Sequence, residues 1–518
     1  MEQETVLHIE GTVEQVLYRN EQNGYTVLDL DANGTLITVV GELGDVEEGE
    51  QLSVDGTYVN HIRFGVQFQA QYVERKLPED AINIQRYLSS GVIKGIGSAL
   101  AKKIVTAFGS QTLEIMEKQP TRLMEIRGIS PKKCETIAQE VQKIFALRSL
   151  MLFLQQYNIR SRYAMRAYQC YGSGAKEMIL ANPYLLCGMG IELPFEKAEI
   201  LADDLKVPKN AEQRILAGTC YILEHNTHNG YTCLPLDRLQ PKVCEYLQVS
   251  ESEFLAAYQA AQKEGNLVSY QKDAREFVYL PAYYEAEQYI ADRIGVLRDF
   301  SAPEDQEIYL DLIKREETEQ GIQYAELQRK AILSALSRGL LILTGGPGTG
   351  KTTTLNGMIS LFEKQGYQVM LAAPTGRAAQ RISDLTGYEA KTIHRLLEVE
   401  FDMAGATKFR HNESNPLTCD VMIVDEMSMV DVLLFESLLR ALRFSCKLIM
   451  VGDSDQLPSV GAGNVLKDLI DSGQVPVVAL NQIFRQAQQS CIVTNAHKII
   501  TGNYPDLQQK QSDFFFFQ

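Results

Sequence analysis

The run Leu340-Leu341-Ile342-Leu343-Thr344 leads directly into Gly345-Gly346-Pro347-Gly348-Thr349-Gly350-Lys351-Thr352, and this stretch decides the fold of the C-terminal part of the chain. A short, wholly apolar run is typical of a strand buried in a parallel sheet, and a helical pattern follows over residues 353–365. Gly-x₄-Gly-Lys-Thr between a strand and a helix indicates a phosphate-binding loop. Its backbone N–H groups would hold the β-phosphate of ATP, Lys351 would bridge the β- and γ-phosphates, and the Thr352 hydroxyl would bind Mg²⁺. The expected nucleotide contacts are Gly346, Pro347, Gly348, Thr349, Gly350, Lys351, Thr352 and Thr353.

Two acidic residues follow a second apolar strand, where Met422-Ile423-Val424 leads into Asp425-Glu426. One carboxylate beside a phosphate loop can hold Mg²⁺ through water, and a second can deprotonate the attacking water. Neighbouring residues of a strand face opposite sides, so both side chains reach one site only if the strand has already ended. The competing interpretation is an exposed acidic turn. Because the preceding strand is wholly apolar, we expect nucleotide hydrolysis, with Asp425 at the metal and Glu426 as the base.

Two more predicted strands end in polar residues. Residues 447–451 lead into Gly452-Asp453-Ser454-Asp455-Gln456, and residues 368–371 lead to Pro374-Thr375-Gly376-Arg377. The Gln456 amide is both donor and acceptor, which suits contact with a γ-phosphate or its attacking water. Ligands bind at the carboxyl ends of strands in such sheets, so both loops should face the same cleft or its rim.

Residues 1–77 are predicted to form a small β domain. Asn23-Gly24 and Asp55-Gly56 are among the turn-forming pairs that separate its strands. Five short strands in one small unit favour a closed barrel, with the oligonucleotide-binding barrel as one candidate and a scaffolding domain as the other. The five predicted strands cover residues 6–18, 25–30, 36–43, 51–59 and 66–73.

Residues 78–205 show helical periodicity with two glycine turns, Gly95-Ile96-Gly97 and Gly128-Ile129-Ser130, and a weaker third copy at 188–191. A lysine pair follows each of the first two turns: Lys102 and Lys103, then Lys132 and Lys133. Backbone N–H groups at the start of a helix can hold a phosphate without contacting a base, so the pattern predicts helix-hairpin-helix units that grip nucleic acid. The alternative is a helical bundle with charged outer faces.

The charge distribution fits a local nucleic-acid site. The net charge is −16, which argues against a protein that coats DNA by bulk electrostatics. Residues 81–165 nevertheless carry 13 Lys and Arg against five Glu and no Asp. That local surplus is either a nucleic-acid footprint or a solvated helix face.

Residues 206–298 favour three helices, at 211–224, 236–247 and 251–264, followed by a hairpin of strands at 267–270 and 276–280. This order resembles a winged-helix unit, and an interdomain spacer is the ordinary alternative. The predicted ATPase domain covers residues 299–505 and begins with an acidic stretch over 301–320.

The composition excludes several other classes. The chain has 518 residues, too many for one hydrophobic core, and 45% of them are apolar, as in ordinary globular proteins. No apolar run approaches the ~20 residues of a spanning helix. The acidic start shows no secretory signal. The nine cysteines form no Cys-x-x-Cys pair, so neither a zinc site nor a disulfide framework is indicated, and we expect a reducing, cytoplasmic location.

From residue 328 to residue 505 the chain resembles the first motor domain of superfamily 1 DNA helicases of the RecD type. Residues 1–205 are similar to the N-terminal extension of the stand-alone members, so the resemblance covers nearly the whole chain. The resemblance depends on Gln328, residues 345–353, Ala373-Pro374-Thr375-Gly376-Arg377, Thr392-Ile393-His394-Arg395, Asp425-Glu426-Met427-Ser428, Gly452-Asp453-Ser454-Asp455-Gln456 and Leu480-Asn481-Gln482-Ile483-Phe484-Arg485-Gln486.

The resemblance implies further site residues. Gln328 would contact adenine and Arg485 would stabilise charge at the γ-phosphate. Pro374, Thr375, Arg377, Thr392 and His394 would lie along single-stranded DNA. A packed core residue is the alternative role for His394, since its neighbours are apolar. A hairpin over 398–420 would act as the pin that splits the duplex, with a plain surface loop as the alternative.

The expected architecture is multidomain, α+β and α/β: a small β-barrel, a helix-hairpin-helix region, a winged-helix-like unit and a RecA-like parallel-sheet domain. By its resemblance, the chain is expected to be an ATP- and Mg²⁺-dependent 5′→3′ helicase that acts on single-stranded DNA and at single-strand/duplex junctions in repair or recombination. Helicases of this type have a second motor domain, and we expect residues 506–518 to be its start, so the chain alone would bind ATP weakly and not translocate. The alternatives are a nucleic-acid-binding module with an idle ATPase domain and a nucleotide switch that controls a protein partner.

Overall fold

The computed structural model describes residues 7–20, 25–32, 34–43, 46–61, 65–78, 80–90, 92–299, 306–401, 407–482, 490–507 and 513. The chain divides into two compact units: unit 1 is residues 1–208 with 401–406, and unit 2 is residues 209–400 with 407–518. Within the described ranges, no helix combines the length and the apolar character needed to cross a membrane.

A closed five-stranded barrel begins unit 1, as the turn-separated strand pattern predicts. The strand order is β1-β2-β3-β5-β4; β3 and β5 run parallel, and every other neighbouring pair is antiparallel. Val13, Leu28, Val39, Val54 and Phe68 fill its interior. The strands are β1 (Leu7–Arg19), β2 (Tyr25–Ala32), β3 (Thr35–Glu42), β4 (Gln51–His61) and β5 (Gly65–Lys76).

The rest of unit 1 is helical, and its first two glycine turns are anchored in one core. The isoleucines on either side of each turn (Ile93 and Ile96, Ile126 and Ile129) are all buried in that core. Apolar residues at both ends of a turn fix the angle between the helices it joins. The helices are α1 (Ala81–Ser89), α2 (Ser98–Phe108), α3 (Thr112–Lys118), α4 (Pro131–Gln155), α5 (Ser161–Tyr171), α6 (Ala175–Ala181) and α7 (Phe195–Asp204).

Unit 2 opens with three helices and a three-stranded sheet in the order β6-β8-β7. The sequence predicted the two longer strands but missed β6, because three residues that end in a proline are too few for a periodic signal. The elements are α8 (Glu212–Thr227), β6 (Cys233–Pro235), α9 (Leu236–Leu247), α10 (Glu251–Lys263), β7 (Val268–Lys272), β8 (Arg275–Tyr279) and α11 (Pro281–Asp299).

A six-stranded sheet, all of whose neighbouring strands run parallel, forms the centre of unit 2, in the order β11-β10-β14-β15-β9-β16. Ile342 and Met422 face one core, whereas Leu341 and Ile423 face the other. Helices cover both faces, which explains why the central strands of the sheet are mostly apolar. The elements are α12 (Gln306–Gln320), α13 (Glu326–Ser337), β9 (Leu340–Gly345), α14 (Lys351–Lys364), β10 (Val369–Ala373), α15 (Gly376–Thr386), β11 (Ala390–Thr392), α16 (Ile393–Leu397), β12 (Val399–Phe401), β13 (Thr407–Phe409), β14 (Val421–Val424), α17 (Val432–Ala441), β15 (Lys447–Gly452), α18 (Val465–Asp471), β16 (Val477–Leu480) and α19 (Cys491–Ile500).

The segment at 398–420 contains a hairpin, in which β12 and β13 form a two-stranded sheet. The Arg410 N–H donates to the Glu398 carbonyl at 3.0 Å and closes its base. Residues 402–406, at the tip of the predicted pin, lie outside the described residues, so the role of the hairpin stays a prediction. The predicted start of a second motor domain, at 506–518, falls almost wholly outside them too.

Candidate active site

The phosphate-loop sequence forms a tight turn between β9 and α14. Gly348 and Gly350 have φ angles of 76° and 82°, which L side chains rarely adopt. The buried Thr349 hydroxyl donates to the Gly346 carbonyl at 2.8 Å and closes the turn from inside. Thr352 is half-buried and Thr353 exposed at the start of α14. The loop therefore has the strand–turn–helix form that its sequence predicts.

Lys351 lies folded over the loop and faces three carboxylates. Its Nζ donates to the Gly345 carbonyl and, at 3.1 Å, to the Gly346 carbonyl. Burial lowers the pKa of Lys351. The carboxylates of Asp453, Asp425 and Glu426 act in the opposite direction. Lys351 is thus close enough to the carboxylates at the ends of β14 and β15 to interact with their charges.

Asp425 and Glu426 both lie near Lys351 because the strand stops before them. β14 ends at Val424, and Glu426 adopts a left-handed conformation with φ of 52°. This reversal turns the second carboxylate from the opposite side of the chain toward the first. Burial raises the pKa of both carboxyl groups, and the charge of Asp425 raises that of Glu426 further. Two adjacent, half-buried carboxylates favour a bound cation, so their chemistry fits Mg²⁺.

Asp453 and Arg381 belong to this cluster although the sequence pattern did not single them out. Asp453 is 3% exposed at the end of β15, and the apolar strand leading into Gly452-Asp453 was a signal that could have marked it. Arg381 Nη1, on α15, lies 3.9 Å from Glu426 Oε1, and its charge lowers the pKa of both Asp425 and Glu426. No local motif marks Arg381, because the sheet order brings α15 to the site.

Gln456 and Gln328 approach the site from different sides. The exposed Gln456 donates from Nε2 to Asp453 Oδ2 at 3.4 Å, so it is linked to the carboxylate that faces Lys351. Gln328 is buried, and its Nε2 donates to the Gly350 carbonyl at 3.3 Å. Its Oε1 accepts from the Ala325 N–H at 2.9 Å and caps α13. Arg485 lies outside the described residues, so its γ-phosphate role stays a prediction.

The predicted motor-domain DNA residues lie at the start of two helices. The Thr375 hydroxyl accepts from the Ala378 N–H at 3.2 Å and caps α15, while the Thr392 hydroxyl accepts from the Arg395 N–H at 3.1 Å and caps α16. Pro374 is half-buried and Arg377 exposed. His394 is exposed, with its ring centroid 6.0 Å from that of Phe409. The alternative of a packed core histidine is therefore wrong.

The two glycine turns of unit 1 share one geometry. The Ile96 N–H donates to the Ile93 carbonyl and the Ile129 N–H to the Ile126 carbonyl, each at 3.1 Å. These bonds close two four-residue turns, Ile93–Ile96 and Ile126–Ile129. The glycine at the third position of each has a positive φ, 95° for Gly95 and 111° for Gly128. Gly97 then caps α2. A hypothetical Cβ at Gly97 or Gly128 meets no atom within 4 Å, so the backbone there is open to a ligand.

The lysine pairs that follow the two turns are not equivalent. Lys132 and Lys133 are in the first turn of α4, whereas Lys102 and Lys103 lie at the fifth and sixth positions of α2. At 1.5 Å per residue, Lys102 and Lys103 are about 5 Å further from their turn than Lys132 and Lys133 are from theirs.

Each turn also carries an exposed basic residue at its second position, Lys94 in one and Arg127 in the other. The sequence analysis did not identify either of them. The weaker third copy, at 188–191, has the same hydrogen bond, from the Ile191 N–H to the Gly188 carbonyl. Its second position is occupied by Met189, which is uncharged.

Four family models match the chain. An AAA domain matches residues 328–462, the OB-fold domain of ATP-dependent DNA helicase YrrC matches residues 6–78, a tandem helix-hairpin-helix model matches residues 86–143, and the helix-hairpin-helix domain of ATP-dependent RecD2 DNA helicase matches residues 143–233. These matches follow the order of barrel, helical region and parallel-sheet domain that the structure shows.

Individual relatives agree with the family models. The ATP-dependent RecD2 DNA helicase of Deinococcus radiodurans is 29% identical over 96% of this chain and 70% of its own length. The RecBCD enzyme subunit RecD of Mycolicibacterium smegmatis is 44% identical over 28% of this chain and 30% of its own length. The crystal structure of Pif1 helicase from Candida albicans covers 36% of this chain and 46% of its own at 27% identity, with a TM-score of 0.28 that is too low to bear on the fold. With OB-fold, helix-hairpin-helix and AAA matches in this order and a RecD2 helicase aligned over nearly its whole length, the chain is similar to the RecD-like helicases.

Proposed function

We propose that this chain provides nucleotide-driven motor and DNA-gripping parts of an ATP-dependent 5′→3′ DNA helicase. The observation that carries the proposal is the grouping of Lys351 with Asp425, Glu426 and Asp453 at the carboxyl ends of three strands. A lysine on a phosphate loop beside carboxylates at neighbouring strand ends is an arrangement that supports phosphoryl transfer to water.

Each residue then has a role in hydrolysis. Lys351 leaves the loop carbonyls and binds the β- and γ-phosphates, while Thr352 and, through water, Asp425 hold Mg²⁺. When bound, the cation neutralises charge that develops on the phosphates. Glu426, with its raised pKa, accepts a proton from the attacking water. Gln456 senses the γ-phosphate through its link to Asp453, Arg485 stabilises its charge, and Gln328 contacts the adenine.

DNA contacts are proposed at two places. In unit 1 the turns around Gly95 and Gly128 hold backbone phosphates, helped by Lys94 and Arg127. In unit 2, Pro374, Thr375, Arg377, Thr392 and His394 follow single-stranded DNA. These contacts are to the backbone, so binding does not depend on sequence and weakens steeply with salt. The family resemblance supports the 5′→3′ direction, the preference for single-strand/duplex junctions and a role in repair or recombination.

Replacing the loop lysine tests the proposal. Lys351→Ala should reduce DNA-stimulated ATP hydrolysis by about a hundredfold or more, because the transition-state charge loses its main cation. DNA affinity, measured by fluorescence anisotropy, should stay within about twofold. The matched control is Lys467→Ala, which removes an exposed lysine from α18 and should change neither quantity.

Two outcomes favour the alternatives. DNA binding with no ATP hydrolysis at all, even in a longer chain that carries a second motor domain, indicates an idle ATPase domain. Hydrolysis that DNA never stimulates indicates a nucleotide switch. The direction is tested separately, in a longer chain that also carries a second motor domain, by unwinding of duplexes with a 5′ or a 3′ single-stranded tail, and preference for the 3′ tail contradicts the proposed polarity.

A further inference from the structure

His497, on α19, lies directly against the phosphate loop. A Cβ atom built onto Gly346 would be 3.1 Å from His497 Cε1 and 3.3 Å from Nε2. These distances are tighter than ordinary van der Waals contact. The absence of a side chain at position 346 therefore makes room for the edge of the imidazole ring, and that edge faces the loop backbone.

The Nε2 atom of this ring has no hydrogen-bond partner. It is buried from solvent, and none of the described residues donates to it or accepts from it. A buried polar group left unpaired destabilises the protein, so such groups usually have a partner in another state of the protein. Because the ring edge borders the phosphate loop, the partner expected here is a group of the bound nucleotide.

The position along the loop indicates which group that is. Gln328 contacts the Gly350 carbonyl, at the end of the loop proposed to lie toward the base. Gly346 is at the other end, and its carbonyl lies 3.1 Å from Lys351 Nζ, the atom that bridges the β- and γ-phosphates. His497 thus approaches the loop from the terminal-phosphate side.

A reciprocal pair of hydrogen bonds holds the helix that carries His497 in place. The Asn495 side chain donates to the Asp506 carbonyl at 3.0 Å and accepts from the Asp506 N–H at 2.8 Å. Asn495 is 4% exposed. This clamp fixes α19 to the segment that follows it, so the ring of His497 stands at a defined place beside the loop.

We propose that His497 donates a hydrogen bond from Nε2 to the terminal phosphate of a bound nucleoside triphosphate and thereby makes the site discriminate triphosphate from diphosphate. The inference rests on the proposed ATP site and adds a residue to it. A diphosphate lacks the group that Nε2 reaches, so His497 contributes to triphosphate affinity alone.

Equilibrium binding of fluorescent, non-hydrolysable ATP and of fluorescent ADP to the full chain tests this. His497→Phe keeps a ring against Gly346 but has no nitrogen. Its triphosphate affinity should fall about tenfold or more, as expected for a hydrogen bond to a charged group, while its diphosphate affinity stays within about twofold. The neighbouring exposed Lys498→Gln is the control and should leave both affinities unchanged.

The outcomes separate this inference from the proposed function. An equal loss of both nucleotides, or no change in either, overturns the role of His497. If the phenylalanine variant does not fold, His497→Ala, which introduces no new bulk, should give the same selective loss. Lys351→Ala is measured in parallel. If it lowers the affinity for neither nucleotide, the proposed ATP site itself is wrong. If it lowers nucleotide affinity while the His497 variants do not, only the inference about His497 is refuted.

Discussion

The glycine turns that precede helices in this chain lie in two different surroundings. In unit 1 the turns around Gly95 and Gly128 are open, and a Cβ added at Gly97 or Gly128 meets nothing within 4 Å. In unit 2 the phosphate loop is enclosed at its base, where a Cβ on Gly345 would lie 2.6 Å from the Leu480 carbonyl oxygen of β16. The open turns suit a long DNA backbone that stays in water.

The proposed ATP hydrolysis at the phosphate loop depends on the charged groups around the loop. Neighbouring parallel strands deliver Asp425, Glu426 and Asp453 to the loop, and burial shifts the pKa of Lys351 and of the first two carboxyl groups. The turns of unit 1 lie instead on a helical core, where Gly95 borders Ile137 of α4. We therefore expect the turns of unit 1 to bind phosphate and the phosphate loop, with its strand-end carboxylates, to cleave it as well.

The largest expected effect concerns the proposed base. Glu426→Gln removes the proton acceptor but keeps the size of the side chain, so ATP hydrolysis should fall by about a thousandfold, as for other general bases. Triphosphate binding should persist. Steady-state hydrolysis and nucleotide binding are measured together, with the exposed Glu389→Gln as control. If Glu426→Gln hydrolyses ATP at the normal rate, the carboxylates beside the phosphate loop do not distinguish it from the turns of unit 1.

The second effect concerns packing. Gly345→Ala places a methyl group against the Leu480 backbone and should cost roughly 1–3 kcal/mol of the free energy of unfolding of unit 2, the usual cost of overpacking. Gly97→Ala introduces the same methyl group into open space at φ of −99°, so it should change stability by less than about 0.5 kcal/mol. Thermal unfolding compares the two, and equal shifts in melting temperature would contradict the distinction between enclosed and open turns.

The smallest effect concerns DNA grip. Replacing both Lys94 and Arg127 by alanine should weaken duplex binding and lower the slope of log affinity against log salt by about two, one for each lost phosphate contact. Replacing Lys102 and Lys103 is the matched control with the same charge change, and its effect should be smaller because these residues lie further from their turn. A salt titration with a larger effect from the control pair would contradict the placement of the phosphates.

Local sequence was sufficient for the phosphate loop. Its glycines, lysine and threonine are contiguous, and an apolar strand precedes them, so position and chemistry could be predicted together. The same holds for Asp425 and Glu426, whose strand ends where the apolar run ends. The Ser130-Pro131 pair is a helix-start signal that could have placed Lys132 and Lys133 in the first turn of α4 as well.

Residues that the fold brings in from elsewhere could not be predicted in this way. Arg381 reaches Glu426 only because β10 lies beside β14 in the sheet, and His497 reaches Gly346 from more than 140 positions along the chain. The strand β6 was missed for another reason, since its pairing with β8 stabilises three residues that have no periodicity of their own. Non-local contacts, rather than weak local patterns alone, set the limit of the prediction.

The central claim is that the phosphate loop and the acidic strand ends form one nucleotide site. A crystal structure of the chain with a non-hydrolysable ATP analogue and Mg²⁺ tests it most directly. The account predicts the triphosphate within residues 345–352, the cation between the Thr352 hydroxyl and a water held by Asp425, and Glu426 facing the γ-phosphate. A triphosphate bound elsewhere, or a cation with no link to Asp425, would contradict it.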